Sequence, residues 1–181
     1  IQRALVSATP TEGAAMLYRA DPVHIVPMLR PYKNWRHAYV WFKDTTLTAY
    51  LMKHLERVPY KGFGEFHVFG QDMLSPPVLD MIRLARQHDL VLHAHTDQQG
   101  IRLLLQQAPD LVVIWAHGGF DEPLPVLEEL LQQYPRFIID LSLREAMLDH
   151  DQQLMPAWKQ LLTAYSKRFL VGLDSYKPAF W

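Results

Sequence analysis

The sequence predicts an α/β fold whose parallel sheet carries functional residues at the carboxyl ends of its strands. From residue 60 onward, strand patterns alternate with helix patterns at spacings of about twenty residues, which is typical of βα units. Three of the apolar runs also end on metal-binding side chains: His93 and His95 on the first, His117 on the second and Asp174 on the third. Parallel barrels build their sites at such strand ends.

The first third of the chain carries two strand patterns. Residues 4–10 form a short apolar run that stops at a proline, and residues 24–32 form a second run. Pro27 weakens this second pattern, because proline removes a donor from the hydrogen-bond ladder. Residues 14–18 favour a helical turn between the two, and apolar residues at helical spacing predict an amphipathic helix over 45–57.

Strands and helices then alternate to the end of the chain. The remaining strand patterns cover residues 60–69, 90–97, 111–119, 136–142 and 168–175. The remaining helix patterns cover residues 77–88, 98–107, 123–133 and 156–166. Pro77 fits the first turn of its helix. Gly62 and Gly64 allow a neighbouring backbone to approach the strand that contains them.

Seven strand patterns leave two architectures open. An open, doubly wound sheet fits this number, and so does an eight-stranded barrel that lacks one strand. A complete barrel usually needs about 200 to 250 residues, and the chain has 181. No linker, solenoid repeat or low-complexity segment divides it, so residues 1–181 are predicted to form a single domain.

Composition excludes several classes of site and partner. Lys and Arg number 18 against 19 acidic residues, and this balance offers no basic surface for nucleic acid. Cysteine is absent, which excludes disulfides and thiolate metal sites. No apolar run reaches the roughly 18 residues of a membrane span, and no signal peptide is visible. We expect a soluble protein, cytoplasmic or exported, with a small-molecule substrate; the sequence is compatible with a homo-oligomer.

Alternation along the strands brings candidate ligands onto shared faces. Residues two apart in a strand face the same way, which groups His93 with His95 and Glu65 with His67. Imidazole and carboxylate groups that converge at strand ends suit zinc and similar divalent ions. Such an ion lowers the pKa of a bound water to about 7. Asp174 is placed to act beside that water as a general base.

Each candidate also has a structural interpretation. A histidine in an apolar strand is often a hydrogen-bonded core residue, and Asp174 fits a helix N-cap. Glu65 is costly to bury unpaired and is open to pairing with Arg30. Arg30 and Arg144 each follow an apolar strand, where they fit either an anion anchor or a structural salt bridge. Four tryptophans are predicted to be packing or rim residues: Trp41, Trp115, Trp158 and Trp181.

Four segments resemble motifs of the metal-dependent amidohydrolase superfamily, specifically its amidohydrolase 2 branch. They are similar, in order, to the family's fourth, fifth, sixth and eighth strands, and they cover residues 60–67, 92–97, 115–120 and 168–175. Residues 136–142 would be the seventh strand and the two early patterns the second and third. The resemblance implies a (β/α)8 TIM barrel of the metallo-dependent hydrolase type with one or two divalent ions, zinc or manganese.

The resemblance also implies residue roles. The implied metal ligands are His95, His117, Asp174 and Glu65. His117 and Asp174 are the implied catalytic residues, with Asp174 as the proton shuttle. His95 is preferred over its neighbour two positions earlier because it lies nearer the carboxyl end of its strand. We predict that substrate is bound by Arg30, Arg144, His67 and His93.

One element of the family pattern has no counterpart in this sequence. The family's first strand carries a His-x-His pair, and no such strand precedes Ala4. The sequence also begins with Ile1 rather than Met. The expectation is therefore a chain that lacks one βα unit, retains strands two to eight, and binds metal poorly without the two missing ligands.

The predicted activity is hydrolysis of a small molecule by a metal-activated water, with Asp174 moving the proton. A metal-dependent decarboxylase on the same barrel is an alternative, because a fold does not fix the reaction. A second alternative is a non-catalytic barrel fragment that binds a ligand or a partner. A third is an open α/β sheet whose histidines are structural.

Overall fold

Seven parallel strands and six α-helices make up the chain over residues 2–174, which are the residues that the computed structural model describes. The strands are β1 (Ala4–Ser7), β2 (Ile25–Leu29), β3 (Gly62–His67), β4 (Val91–His95), β5 (Val113–Trp115), β6 (Phe137–Asp140) and β7 (Phe169–Leu170). The helices are α1 (Glu12–Ala20), α2 (Leu47–Leu55), α3 (Pro76–Gln87), α4 (Gln98–Gln107), α5 (Leu124–Gln133) and α6 (Pro156–Ala164). Short 3₁₀ segments lie at His37–Tyr39, Trp41–Lys43, Gly70–Leu74, Ala116–Gly119, Glu145–Met147 and Ser166–Arg168.

These elements confirm the seven predicted strands and the six predicted helices. The predicted helical turn over 14–18 is longer than expected and forms the nine-residue helix α1. Ser175, the last residue of the final strand pattern, lies outside the described residues. None of the helices described is long and apolar enough to cross a membrane.

The strands lie in the sheet in the order of the chain, from β1 to β7, and each neighbouring pair is parallel. A doubly wound sheet reverses its order at a switch point, so the sequential order rules out that alternative. Because crossovers between parallel strands are right-handed, this order places the connecting helices on one face. The sheet is curled, and β1 and β7 form its edges.

The main apolar core lies between the sheet and the helices. In β4, Leu92 and Ala94 are fully buried and belong to the same apolar cluster as Leu104 of α4. His93 and His95 alternate with them and are only partly buried. The opposite face of the sheet is therefore the face that presents polar side chains.

Three of the predicted packing tryptophans are buried. Trp41 and Trp115 have no exposed surface and Trp158 has almost none, which confirms them as packing residues. Trp181 lies outside the described residues. The indole groups also bind the strand ends: Trp41 Nε1 donates to the carbonyl of His67 at 2.7 Å, and Trp115 Nε1 donates to the carbonyl of Thr96 at 2.9 Å.

Candidate metal centre

The carboxyl half of β3 carries Glu65 and His67 into the polar face of the sheet. Gly64 permits this path, because its φ is +142° and a Cβ there would lie 2.4 Å from the carbonyl oxygen of His93. The register against β4 shifts between Gly64 and Phe66, so Glu65 falls at an irregularity of the ladder. Such irregularities re-aim side chains at functional positions. The predicted close approach of backbones at this glycine is confirmed.

One oxygen of Glu65 is shared by three imidazoles. Glu65 Oε1 lies 2.7 Å from Nδ1 of His95, 3.6 Å from Nε2 of His67 and 3.6 Å from Nε2 of His117. The three histidines come from β3, β4 and the turn after β5. The strand-end pattern therefore brings together four residues that are far apart in the sequence.

The second oxygen of Glu65 faces Arg30. Glu65 Oε2 lies 3.6 Å from Nη2 of Arg30, at the long end of an ion pair. The same guanidinium donates to Ser7 Oγ at 3.3 Å and to Thr9 Oγ1 at 3.1 Å. Arg30 thus links the ends of β1, β2 and β3, and the pairing with Glu65 that the sequence left open is present.

Glu65 stays ionised in spite of its burial. Only 8% of the residue is exposed, and burial alone would raise the pKa of its carboxyl group. Contacts from His117, His67 and His95 outweigh this effect and hold the pKa of Glu65 well below its usual range. A buried carboxylate surrounded by imidazoles offers the ligand types that divalent metal ions bind.

His117 lies in a turn of unusual backbone conformation, residues 116–120, which we call the His117 turn. Positive φ angles occur at His117 (58°), Gly118 (53°), Gly119 (75°) and Phe120 (63°). Two of these residues are not glycine, and such conformations persist only where surrounding contacts impose them. The turn directs a fully buried imidazole toward Glu65.

The orientation of the His117 ring is fixed from behind by Ser142. Nδ1 of His117 lies 3.0 Å from the carbonyl oxygen of Ser142 and 2.9 Å from its hydroxyl. A proton on Nδ1 donated to that carbonyl leaves Nε2 directed at the cavity. Burial lowers the pKa of His117, but Glu65, Ser142 and the charge of Asp174 together raise it above its ordinary value.

A second polar pair lies beside this cluster. His93 Nε2 is 3.6 Å from Oδ2 of Asp140 on β6, and within residues 2–174 this buried nitrogen has no hydrogen-bond partner. Burial raises the pKa of Asp140, but His93 and the backbone amide of Ser142 lower it further than burial raises it. Asp140 and Ser142 are not among the residues predicted from the sequence, although they lie two residues apart at the end of an apolar strand pattern, as His93 and His95 do.

The two arginines predicted to bind substrate lie in different settings. Arg30 reaches the cluster through Glu65. Arg144 is 4% exposed, and its Nη1 donates to the carbonyls of His117 at 3.0 Å and Gly118 at 2.7 Å. Its Nη2 donates to the carbonyl of Glu122. This arrangement favours a positioning role for Arg144 over the substrate role that the sequence predicts.

Asp174 lies four residues beyond the end of β7, half-buried and with a φ of 45°. Its charge is a minor contribution to the raised pKa of His117. Within the described part of the chain, however, its carboxylate forms no ion pair with any histidine within 4 Å. The structure thus brings Glu65, His95 and His117 together, with Asp174 farther out.

Aromatic side chains surround the mouth of the cluster. Phe120 stacks on the ring of His117 with centroids 4.3 Å apart, and Phe69 meets His95 edge-on at 6.0 Å. Trp35 lies over the guanidinium of Arg30 at 5.2 Å. Phe69, Phe120 and Trp35 all remain exposed, so aromatic rings lie on the exposed side of the cluster and of Arg30.

Three residues present donor atoms close enough together for a metal ion. Glu65, His67 and His95 each offer a ligand atom, all within 4.8 Å of one another. This set shares Glu65 and His95 with the predicted ligands and adds His67, which the sequence assigned to substrate. Asp149, His150 and Asp151 form a second such group, in the exposed loop before α6, where acidic groups are common without an ion.

No protein-family model, curated protein or solved structure matches this chain. The resemblance of its four strand-end motifs to amidohydrolases stays a prediction from the sequence.

Proposed function

We propose that this protein is a metal-dependent hydrolase of the amidohydrolase type, built on a (β/α)8 barrel, that acts on a small molecule. The observation that carries the proposal is the convergence of His67, His95 and His117 on one buried oxygen of Glu65. These residues lie at the carboxyl ends of neighbouring parallel strands, which is where such barrels hold their active sites.

The donor set fits a divalent cation such as zinc or manganese. Imidazole nitrogens and a carboxylate oxygen are the ligands that zinc binds in proteins without cysteine. The contact of Ser142 with Nδ1 of His117 supplies the backing that metal-binding histidines usually have. When bound, such a cation polarises a carbonyl group and acidifies a water molecule.

The chain's own residues have distinct tasks in this proposal. Glu65, His67 and His95 hold the cation, and His117 supplies a fourth ligand from the adjacent strand end. Asp174 accepts the proton of the attacking water and returns it to the leaving group, as a general base and then a general acid. Because Glu65 is buried, water competes little with the cation for its carboxylate.

The first test is a titration of the purified chain with zinc by calorimetry, followed by assay against chromogenic esters and amides. We expect His95→Ala to weaken zinc binding by about a hundredfold, since it removes a direct ligand and even outer partners are worth 10–100-fold. Asp174→Asn should lower the hydrolytic rate by about 10²–10⁴-fold, the usual contribution of a general base.

His88→Ala is the matched control, because His88 is exposed at the end of α3, away from the cluster. It should bind zinc as the unchanged chain does. Absence of zinc binding in the unchanged chain, or an equal loss in His88→Ala, would contradict the proposal.

A metal-dependent decarboxylase is the second candidate, and one observation favours it. The guanidinium of Arg30 contacts Glu65 of the cluster and lies under the exposed ring of Trp35, and the exposed rings of Phe69 and Phe120 contact His95 and His117. A cation among flat apolar walls suits an aromatic carboxylate. Incubation with aromatic carboxylic acids distinguishes the two reactions, since release of CO₂ without hydrolysis of the ester and amide panel would favour the decarboxylase.

A further inference from the structure

The His117 turn is bound by the buried guanidinium of Arg144. Arg144 donates to the carbonyls of His117, Gly118 and Glu122, all within six residues of chain. Within residues 2–174 it forms no salt bridge within 4 Å, and its guanidinium lies 4.9 Å from the ring of Trp158. An arginine buried on backbone carbonyls is costly, so its position calls for a role.

The loop that carries Arg144 contacts His117 from two sides. Ser142 contacts Nδ1 of the imidazole, while Arg144, two residues later, binds the backbone carbonyl of the same histidine. Leu143 between them has a φ of 55°, which bends the chain so that both neighbours reach the turn. Ring and backbone of His117 are therefore held by one short segment after β6.

Gly118 has the shape that this contact requires. Its φ is +53°, and a Cβ at this position would lie 3.2 Å from Nη1 of Arg144 and 3.0 Å from the side chain of Ile139. The absence of a side chain lets the guanidinium approach the two carbonyls. Planar forked donors bind two acceptors in a fixed direction, which a lysine cannot reproduce.

We propose that Arg144 is a positioning residue whose guanidinium holds the His117 turn in its positive-φ conformation and thereby directs the His117 imidazole at Glu65. The contacts themselves are independent of the proposed function; only the effect on cation affinity rests on it. Without Arg144 three carbonyls lose their donor, and a turn with two non-glycine residues at positive φ relaxes.

The test replaces Arg144 with Met, which keeps much of the side-chain volume and removes all donors. Arg168→Met is a matched control, because the guanidinium of Arg168 also binds two backbone carbonyls, those of Phe137 and Tyr134, but at the start of β7. Imidazole ¹⁵N–¹H spectra of the metal-free chain report the tautomer of His117, with signals assigned by His117→Gln. Zinc titration reports its effect on the site.

We expect Arg144→Met to change the His117 tautomer pattern and to weaken zinc binding by about 10–100-fold, as loss of an outer partner of a ligand does. Arg168→Met should leave both unchanged. Unchanged His117 signals in Arg144→Met, or equal changes in both variants, would overturn the proposal. If zinc does not bind the unchanged chain, the proposed function fails while the spectra still decide this inference.

Arg144→Lys serves if Arg144→Met does not fold. It keeps the charge and loses the forked donor geometry, so it should show the same displaced His117 signals with a smaller loss of affinity. A folded Arg144→Lys with wild-type His117 signals would overturn the proposal as well.

Discussion

The two ends of the sheet hold their charged residues in different ways. At the amino end, Arg86 binds Asp110 through two contacts of 2.6 and 2.7 Å, and Arg136 donates to the carbonyl of Asp110 at 2.8 Å. At the carboxyl end, Glu65 has one short contact, 2.7 Å to His95, and its contacts with His67, His117 and Arg30 are all 3.6 Å.

Under the proposed function, the amino-end ion pairs stabilise the fold, whereas the carboxyl-end side chains remain available to bind a ligand. The amino-end pairs are exposed and have full hydrogen-bond geometry, so they gain little from any further ligand. The carboxyl-end groups are buried, and His93 Nε2 lacks a partner among the described residues. Buried polar groups at long contact distance carry a cost, which a bound cation or substrate can offset.

The largest expected effect is a loss of zinc affinity when the carboxylate at the carboxyl end of the sheet is removed. Glu65→Gln keeps the shape of the side chain and removes the charge that three imidazoles share. Outer partners of a ligand account for about 10–100-fold in affinity, so loss of the shared carboxylate should weaken zinc binding by about a hundredfold or more. Asp110→Asn, which removes the carboxylate at the amino end, is the control for calorimetry. Equal zinc affinities in both variants would show that the two ends do not differ in this way.

The sequence was sufficient to locate the strands and most of the residues that meet in the candidate cluster. Apolar runs that end in polar residues two apart predicted the pairs Glu65 with His67 and His93 with His95. Both His67 and His95 contact Oε1 of Glu65. This works because alternation in a strand is strict and parallel strands end at one edge. The same rule applied to residues 136–142 would have found Asp140 and Ser142.

The position of Arg144 and the path of the His117 turn could not be predicted in this way. Four successive positive φ angles occur at residues 117–120, two of which are not glycine, and this turn contacts the loop after β6. A periodic pattern carries no information on such contacts. The ring contact of His67 with His95, T-shaped at 4.3 Å, is likewise a contact that a periodic pattern does not predict.

A smaller effect is expected at the amino end of the sheet, where Tyr60 precedes β3. It concerns the pH dependence of the free energy of unfolding. Burial raises the pKa of Tyr60 to about 12, so the folded chain retains the phenolic proton more tightly than the unfolded chain, whose tyrosines titrate near 10. The resulting stabilisation is complete below about pH 10 and is lost as the pH rises through 12. A difference of about two in pKa corresponds to about 2–3 kcal/mol.

Urea unfolding between pH 9 and pH 12 measures this effect. Tyr60→Phe should flatten the alkaline loss of unfolding free energy, and Tyr39→Phe, at an exposed tyrosine, should keep the wild-type loss. Parallel curves for wild type and Tyr60→Phe would remove Tyr60 as the source.

The smallest expected effect concerns the amino-end ion pair itself. Arg86→Met should lower the free energy of unfolding by less than about 1 kcal/mol, because the attraction in an exposed ion pair is largely offset by the loss of solvation and of side-chain freedom. Arg102→Met, which breaks the pair with Glu129 between α4 and α5, should behave alike. Chemical denaturation at low and at high salt measures both. A loss of several kcal/mol in Arg86→Met would mean that the amino end, too, depends on a critical charge.

The sequential strand order has a consequence for how the chain acquires its structure. Each strand pairs with the next one along the chain, so every pairing closes a loop of roughly 20 to 35 residues. Topologies built from such local pairings fold faster than those with distant ones. During synthesis the sheet can lengthen one βα unit at a time. If the sheet forms in this order, Glu65, His67 and His95 meet before Arg144 has left the ribosome, and the proposed support of the His117 turn is added last.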